Sequence, residues 1–173
     1  VTELKHLIMS TPGETVLIQG QPIDKITLRA ELNRNVLLEA TTSDIQTKVR
    51  AVTQAELSED AQAIERAMAD LVAAVQADPS QLGPVLGTIG MNGLFYISPA
   101  VEADLAGRLL ATAAVPLTHE HATGTAFLAE IQASMSAVAG SLTQDLTVEQ
   151  RGVLTTELAR LQGIATASQS ALS

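Results

Sequence analysis

The chain has no cysteine and no tryptophan, one tyrosine and two phenylalanines. Without Cys there is no disulfide framework, no thiolate nucleophile and no Cys-based zinc site. With aromatics at 2% there is little on which a base or sugar ring could stack. Basic residues are scarce too: 10 Lys and Arg stand against 19 Asp and Glu, a net charge of −9. The shortfall is uneven. Residues 1–57 carry 7 acidic and 6 basic groups, whereas residues 58–173 carry 12 and 4. A phosphate-binding surface needs clustered Lys and Arg. The C-terminal two-thirds therefore argues against nucleic acid, and against an anionic membrane surface, as a partner. The opening "VTELKHLIMS" has no basic stretch leading into an apolar run, so it does not read as a secretory signal.

What is abundant is small and aliphatic. Hydrophobic residues make up 46% of the chain, nearly all of them Ala, Leu, Val and Ile. Such side chains suit closely packed helices. A length of 173 residues suffices for one domain that buries a core without staples.

One apolar run has the length of a membrane span. "LGPVLGTIGMNGLFYISPAV", residues 82–101, contains no charge. Its content is wrong for lipid, because Gly83, Pro84, Gly87, Gly90, Gly93 and Pro99 break it and Asn92 sits in its middle. Irregular backbone exposed to lipid would leave N–H and C=O groups unpaired. The run reads instead as a short buried helix or turn over 81–90, then a turn, then "LFYI" packed under other helices. In a functional variant of that reading it is an apolar subunit contact. Met91, Leu94, Phe95 and Tyr96 are its anchors, since large side chains dominate interfaces.

Two hydrophobic periods divide the rest. "ETVLIQG" is a short β-rich run, and "GQP" turns the chain. "KITLRAEL" alternates, with Ile26, Leu28, Ala30 and Leu32 on one face. "NRN" then reads as a turn and "VLLEATT" as a third strand, giving an antiparallel meander; the rival reading makes 24–40 a single helix. A meander this small needs support from the helices or from another subunit. Its edges, around 14–19 or 36–41, offer unpaired backbone to a neighbouring strand. Val16, Ile18, Val36 and Leu38 are the candidate contact residues there.

From residue 43 the period becomes helical. Ser43 and Ser58 are candidate caps for helices carrying Ile45, Val49 and Val52, then Ile64, Met68, Leu71 and Val75. "ADPSQLGP" breaks the second. Ser98-Pro99 pairs a cap with Pro at the first helical position. That helix carries Val101, Leu105 and Leu109 and stops before Pro116. The next runs from about 120 to 142. "TVEQ" at 147–150 is a capping box and opens a last helix with Leu154, Leu158 and Leu161, whose small, polar end is expected to fray. The expected fold is mainly α: a bundle of about five helices (43–173) with a small N-terminal antiparallel β meander in a β-rich extension (1–42), an α+β arrangement.

Candidate chemistry is thin. His119 and His121 flank Glu120, but an i, i+2 pair converges on a metal only in a strand, and this one opens a helix. Glu59 and Asp60, and likewise Glu102 and Asp104, sit in first turns, where acids complement the helix dipole, and neither pair requires catalysis. There is no G-x-S-x-G elbow. "GTIGMNG" lacks the Lys-Ser/Thr of a phosphate loop. Arg108 is the candidate polar group of a pocket between helices, against the plainer expectation that it pairs with Asp104. The expectation is a non-enzymatic structural or assembly protein without a cofactor. It would be a homo-oligomeric subunit of a particle or apparatus such as a virion, filament or secretion component, contacting copies of itself and other protein subunits. The alternatives are a helical small-molecule sensor and, further off, a protein that inserts 82–97 into a membrane. The expected location is the cytoplasm or an assembled particle.

Overall fold

The computed structural model describes residues 7, 8, 10–25, 27, 28, 31, 40–91 and 98–173. It is mainly helical, with a small antiparallel sheet near the N-terminus. Strands β1 (Thr15–Ile18) and β2 (Gln21–Asp24) form a hairpin with Ile18 opposite Gln21 and Thr15 opposite Asp24. The turn residues Gln19 and Gly20 both have positive φ, 51° and 80°. That is the backbone of a two-residue type I′ turn, whose twist matches that of paired strands. Val16 turns inward and is 2% exposed, while Leu17 turns outward.

The meander is shorter than the sequence pattern suggests. Lys25, Thr27, Leu28 and Glu31 have helical backbone, so the expected strand over 25–32 is replaced by helix at every described position. Alternation over eight residues was ambiguous here: Lys, Arg, Leu, Ala and Glu are good helix formers, and Leu28 and Leu32 share a helical face as readily as a strand face. The hairpin also closes at Asp24, and the Lys25 N–H donates to the Glu14 carbonyl as its last rung (3.0 Å). Of the expected third strand, Val36 and Leu38 lie outside the described residues.

The helices are α1 (Ser43–Ser58), α2 (Ala61–Ala77), α3 (Leu82–Met91), α4 (Pro99–Ala111), α5 (His119–Ser141) and α6 (Val148–Leu172). A short 3₁₀ turn, Pro79–Gln81, links α2 to α3. The caps explain the boundaries. The Thr42 hydroxyl accepts from Ile45 N–H, and the Asp60 carboxylate from Gln62 N–H. Thr42 and Asp60 thus take the capping roles expected of Ser43 and Ser58. Ser98 caps α4 with Pro99 at its first position, and Thr118 caps α5. At α6 both halves of the Thr147–Gln150 capping box form (3.0 and 3.1 Å). The C-terminal segment does not fray: α6 continues to Leu172, and Ser168 is fully buried.

The most extensive packing joins α4 to α6, α5 to α6 and α1 to α2. Helices α4 and α6 run in the same direction, since Gly107 meets Ala167 and Gly163 faces Ala103. Gly124 near the start of α5 lets the ends of α4 and α6 close in: a Cβ there would stand 2.7 Å from Leu110 and 3.1 Å from Leu172. One buried core includes Ile8 and Val16 together with side chains of all six helices. Helix α3 contributes Leu82, Val85, Leu86 and Ile89 to it, each at most 1% exposed. The apolar run thus begins as a buried helix. Among the described residues no helix is long and apolar enough to cross a membrane.

Candidate functional site

Two places in the fold carry polar groups in an arrangement that packing alone does not require. The first is the hairpin edge. In a hairpin with a two-residue loop, the residues flanking the turn form a hydrogen-bonded pair, and such pairs alternate with non-bonded ones. Ile18–Gln21 and Val16–Ile23 are then the bonded pairs, a register confirmed by the Lys25 to Glu14 rung. Thr15 and Leu17 on β1, and Pro22 and Asp24 on β2, turn their backbone groups to the outer edges. The two edges differ. Pro22 has no N–H to offer, so it blunts β2. On β1, Thr15 and Leu17 keep both donor and acceptor, and the Leu17 side chain is 70% exposed. No described strand lies beyond β1. Val16 packs the hairpin into the core, and the Lys25 Nζ ties it to the segment before β1 by donating to the Thr11 carbonyl.

The second place is a buried cluster of charge between α4 and α6. The Arg160 guanidinium is 3% exposed. It donates to both Glu157 oxygens (3.2 and 3.0 Å), to Glu102 Oε2 (3.3 Å) and to the Ile89 carbonyl at the end of α3 (3.3 Å). Glu102 is fully buried. Burial works against the Arg160 charge, but Glu157 and Glu102 outweigh it and hold the guanidinium above its ordinary pKa. Helix ends add to the arrangement. Glu102 lies in the first turn of α4, where the dipole favours an anion, and Arg160 meets the C-terminal end of α3, where it favours a cation.

The residues singled out from sequence are dispersed. Val16 and Ile18, expected at a contact, turn toward the core, and Leu17 between them faces out. Met91 ends α3; Leu94, Phe95 and Tyr96 lie outside the described residues, as do Val36 and Leu38. Arg108 is a bridge. Its Nε donates to Asp104 (3.0 Å), and its two terminal nitrogens to Glu65 on α2 (2.8 and 2.6 Å). Those hydrogen bonds to Glu65 and Asp104 raise its pKa, and the one to Arg108 lowers that of Glu65. His119 is exposed at the first turn of α5, and the His121 ring nitrogen Nδ1 lies 2.9 Å from the Ala113 carbonyl. Among the described residues no group of three His, Cys, Asp or Glu gathers as a metal site would require. Two open grooves, of about 310 and 350 Å³, flank α5. One is lined by Val75, Pro79, Leu82 and Glu120, the other by Gly83, Gly87, Phe127 and Glu130, and Arg108 borders neither.

Sequence reasoning placed Glu102 in the first turn of α4 but missed its burial, and it missed Arg160 and Glu157. A signal was there. Leu154, Glu157, Leu161, Ile164 and Ser168 follow each other at helical spacing on one stripe, and a carboxylate on an apolar stripe needs a partner close by. Glu102 likewise precedes Leu105 and Leu109 on the inner face of α4. Compared with protein-family models, curated proteins and solved structures, the chain matches none of them.

Proposed function

We propose that the protein is an assembly subunit that acts through protein–protein contacts, with strand addition at the outer edge of β1 as its principal contact. The supporting observation is the asymmetry of the hairpin: Pro22 closes the β2 edge, while Thr15 and Leu17 leave the β1 edge open with a large apolar side chain beside it. An open edge recruits a strand through main-chain hydrogen bonds, and alternate side chains give specificity. The inward Val16 fixes which face of β1 is offered, because a one-residue slip would invert every side chain. A second apolar display lies on the loop between α4 and α5. Val115 is 63% exposed and Leu117 wholly so, and Leu117 holds a left-handed backbone, φ 69°. A leucine in that conformation costs roughly 1–2 kcal/mol.

The partner is a second copy of the chain or another subunit of the same assembly, of the kind that builds a filament, a secretion apparatus or a virion. Light scattering after gel filtration, over a hundredfold range of concentration, tests the reading. The native chain is expected to grow in mass with concentration, and Leu17→Lys to remain monomeric with an unchanged melting temperature. Lys at that position leaves the hairpin ladder intact and places a charge on the recruited edge. A native chain that stays monomeric throughout, and recruits no strand-forming partner, would overturn the proposal.

A further inference from the structure

The charge cluster has a use beyond joining α4 to α6. We propose that Arg160 positions the C-terminal end of α3, and that Glu102 and Glu157 hold its guanidinium at the angle that reaches the Ile89 carbonyl. Helix α3 has weak means of holding itself. It spans ten residues, and Gly83, Gly87, Gly90 and Pro84 are among them. Each glycine lowers helix stability, and a helix this short is marginal alone. It has no basic residue in its last turn to meet the exposed carbonyls. A guanidinium from α6, 71 residues further along the chain, meets one of them. Thr88 bonds back to the Pro84 carbonyl (3.1 Å), a contact that bends helices.

The fixed fork of arginine makes this possible. Nε and one terminal nitrogen engage Glu157, and the other terminal nitrogen serves Glu102 and Ile89 together. The two carboxylates come from different helices, so the fork is oriented only while α4 and α6 are both in place. The side chains of Leu82, Val85, Leu86 and Ile89 seat α3 in the apolar core, and the guanidinium adds, among the described residues, one contact to its C-terminal carbonyls, at Ile89. The arrangement is a catch. When either carboxylate lets go, the guanidinium leaves Ile89, and the last turn of α3 opens without unfolding the α4–α6 pair.

Amide hydrogen exchange on the full chain tests the catch. Arg160→Lys keeps the charge but not the fork, and Glu102→Gln keeps the shape but not the charge. Both are expected to exchange at least tenfold faster at residues 88–91, with the amides of α4 and α6 unchanged. Equal acceleration everywhere would show that the cluster only stabilises the whole fold, and no change at 88–91 would show that α3 does not depend on it. Either result overturns the proposal. Should both variants fail to fold, the apolar combination Glu102→Leu, Glu157→Leu, Arg160→Met decides: a loosened end of α3 supports the catch, and a native-like one refutes it.

Discussion

Helix α4 takes part in an arginine–carboxylate system on each of two faces, and among the described residues the two share their charged parts. On the outer face, Arg108 joins Asp104 of its own helix to Glu65 of α2. On the inner face, Glu102 meets Arg160, which also holds Glu157 of its own helix. Each system has one guanidinium, one carboxylate within the helix and one across to a neighbour. The hydrogen bonds are no shorter inside than outside: 2.6–3.4 Å around Arg108 and 3.0–3.3 Å around Arg160. What differs is water. The Arg108 side chain is 32% exposed and the Arg160 side chain 3%. The lesson is that contact geometry does not rank ion pairs. The alternative open to each charge when its partner leaves does the ranking, and that alternative is solvent for Arg108 and an apolar interior for Glu102.

The largest effect expected is therefore that of Arg160→Ala. It removes the guanidinium that meets two buried carboxylates and a carbonyl of α3, and it should cost about 3–5 kcal/mol. Urea denaturation measures it. Arg108→Ala, measured beside it, should shift the midpoint by a small fraction of that. Equal costs for the two would mean that the inner cluster is hydrated in solution.

That contrast also marks what could be read from the sequence. The helical half was legible because its signals are local. Ser98-Pro99 and the Thr147–Gln150 box start α4 and α6 where they should, and the periodic positions Ile45, Val49, Leu71, Leu105 and Leu161 are all buried. The exposed Arg108–Asp104 pair was legible for the same reason, being four residues apart on one helix. The inner cluster was not, because Glu102 and Arg160 are 58 residues apart and meet only once α4 and α6 are packed. The stretch 25–32 failed differently. Its alternation supports either period, and the choice was made by the hairpin closing at Asp24. Val16 and Ile18 lie on the expected strand and turn toward the core, and a pattern read without the register does not say which side of the strand looks out.

The next effect runs the other way. Replacing the whole inner cluster by apolar side chains, Glu102→Leu, Glu157→Leu and Arg160→Met, removes the burial penalty along with the attraction. Such replacements are often neutral or stabilising by about 1–4 kcal/mol. The melting temperature of the triple variant should equal or exceed that of the native chain, although Arg160→Ala alone falls far below it. The corresponding change on the outer face, Asp104, Glu65 and Arg108 to Leu, Leu and Met, gains no such relief, because those groups are hydrated already. It would instead place an apolar patch on the surface. A triple variant on the inner face as unstable as Arg160→Ala would show that the cluster is a net source of stability.

The smallest effect sharpens the comparison through pH and salt. The hydrogen bond from Arg108 holds the Glu65 carboxyl below its ordinary value of 4.5. A carboxyl depressed in the folded state adds stability above its unfolded pKa and loses it as pH falls through the folded value. Glu65→Gln should therefore be slightly less stable than the native chain at pH 7, and the difference should close as the pH falls below about 4.5. It should narrow at pH 7 in 1 M salt, where the screening length is roughly 3 Å, without closing, because the hydrogen bond from Arg108 is the larger cause. The inner face should not respond in this way. The deficit of Arg160→Ala should persist in 1 M salt, because ions do not reach a guanidinium site from which water is excluded. If salt narrowed both differences alike, the two faces of α4 would be electrostatically equivalent, and the division between them would fall.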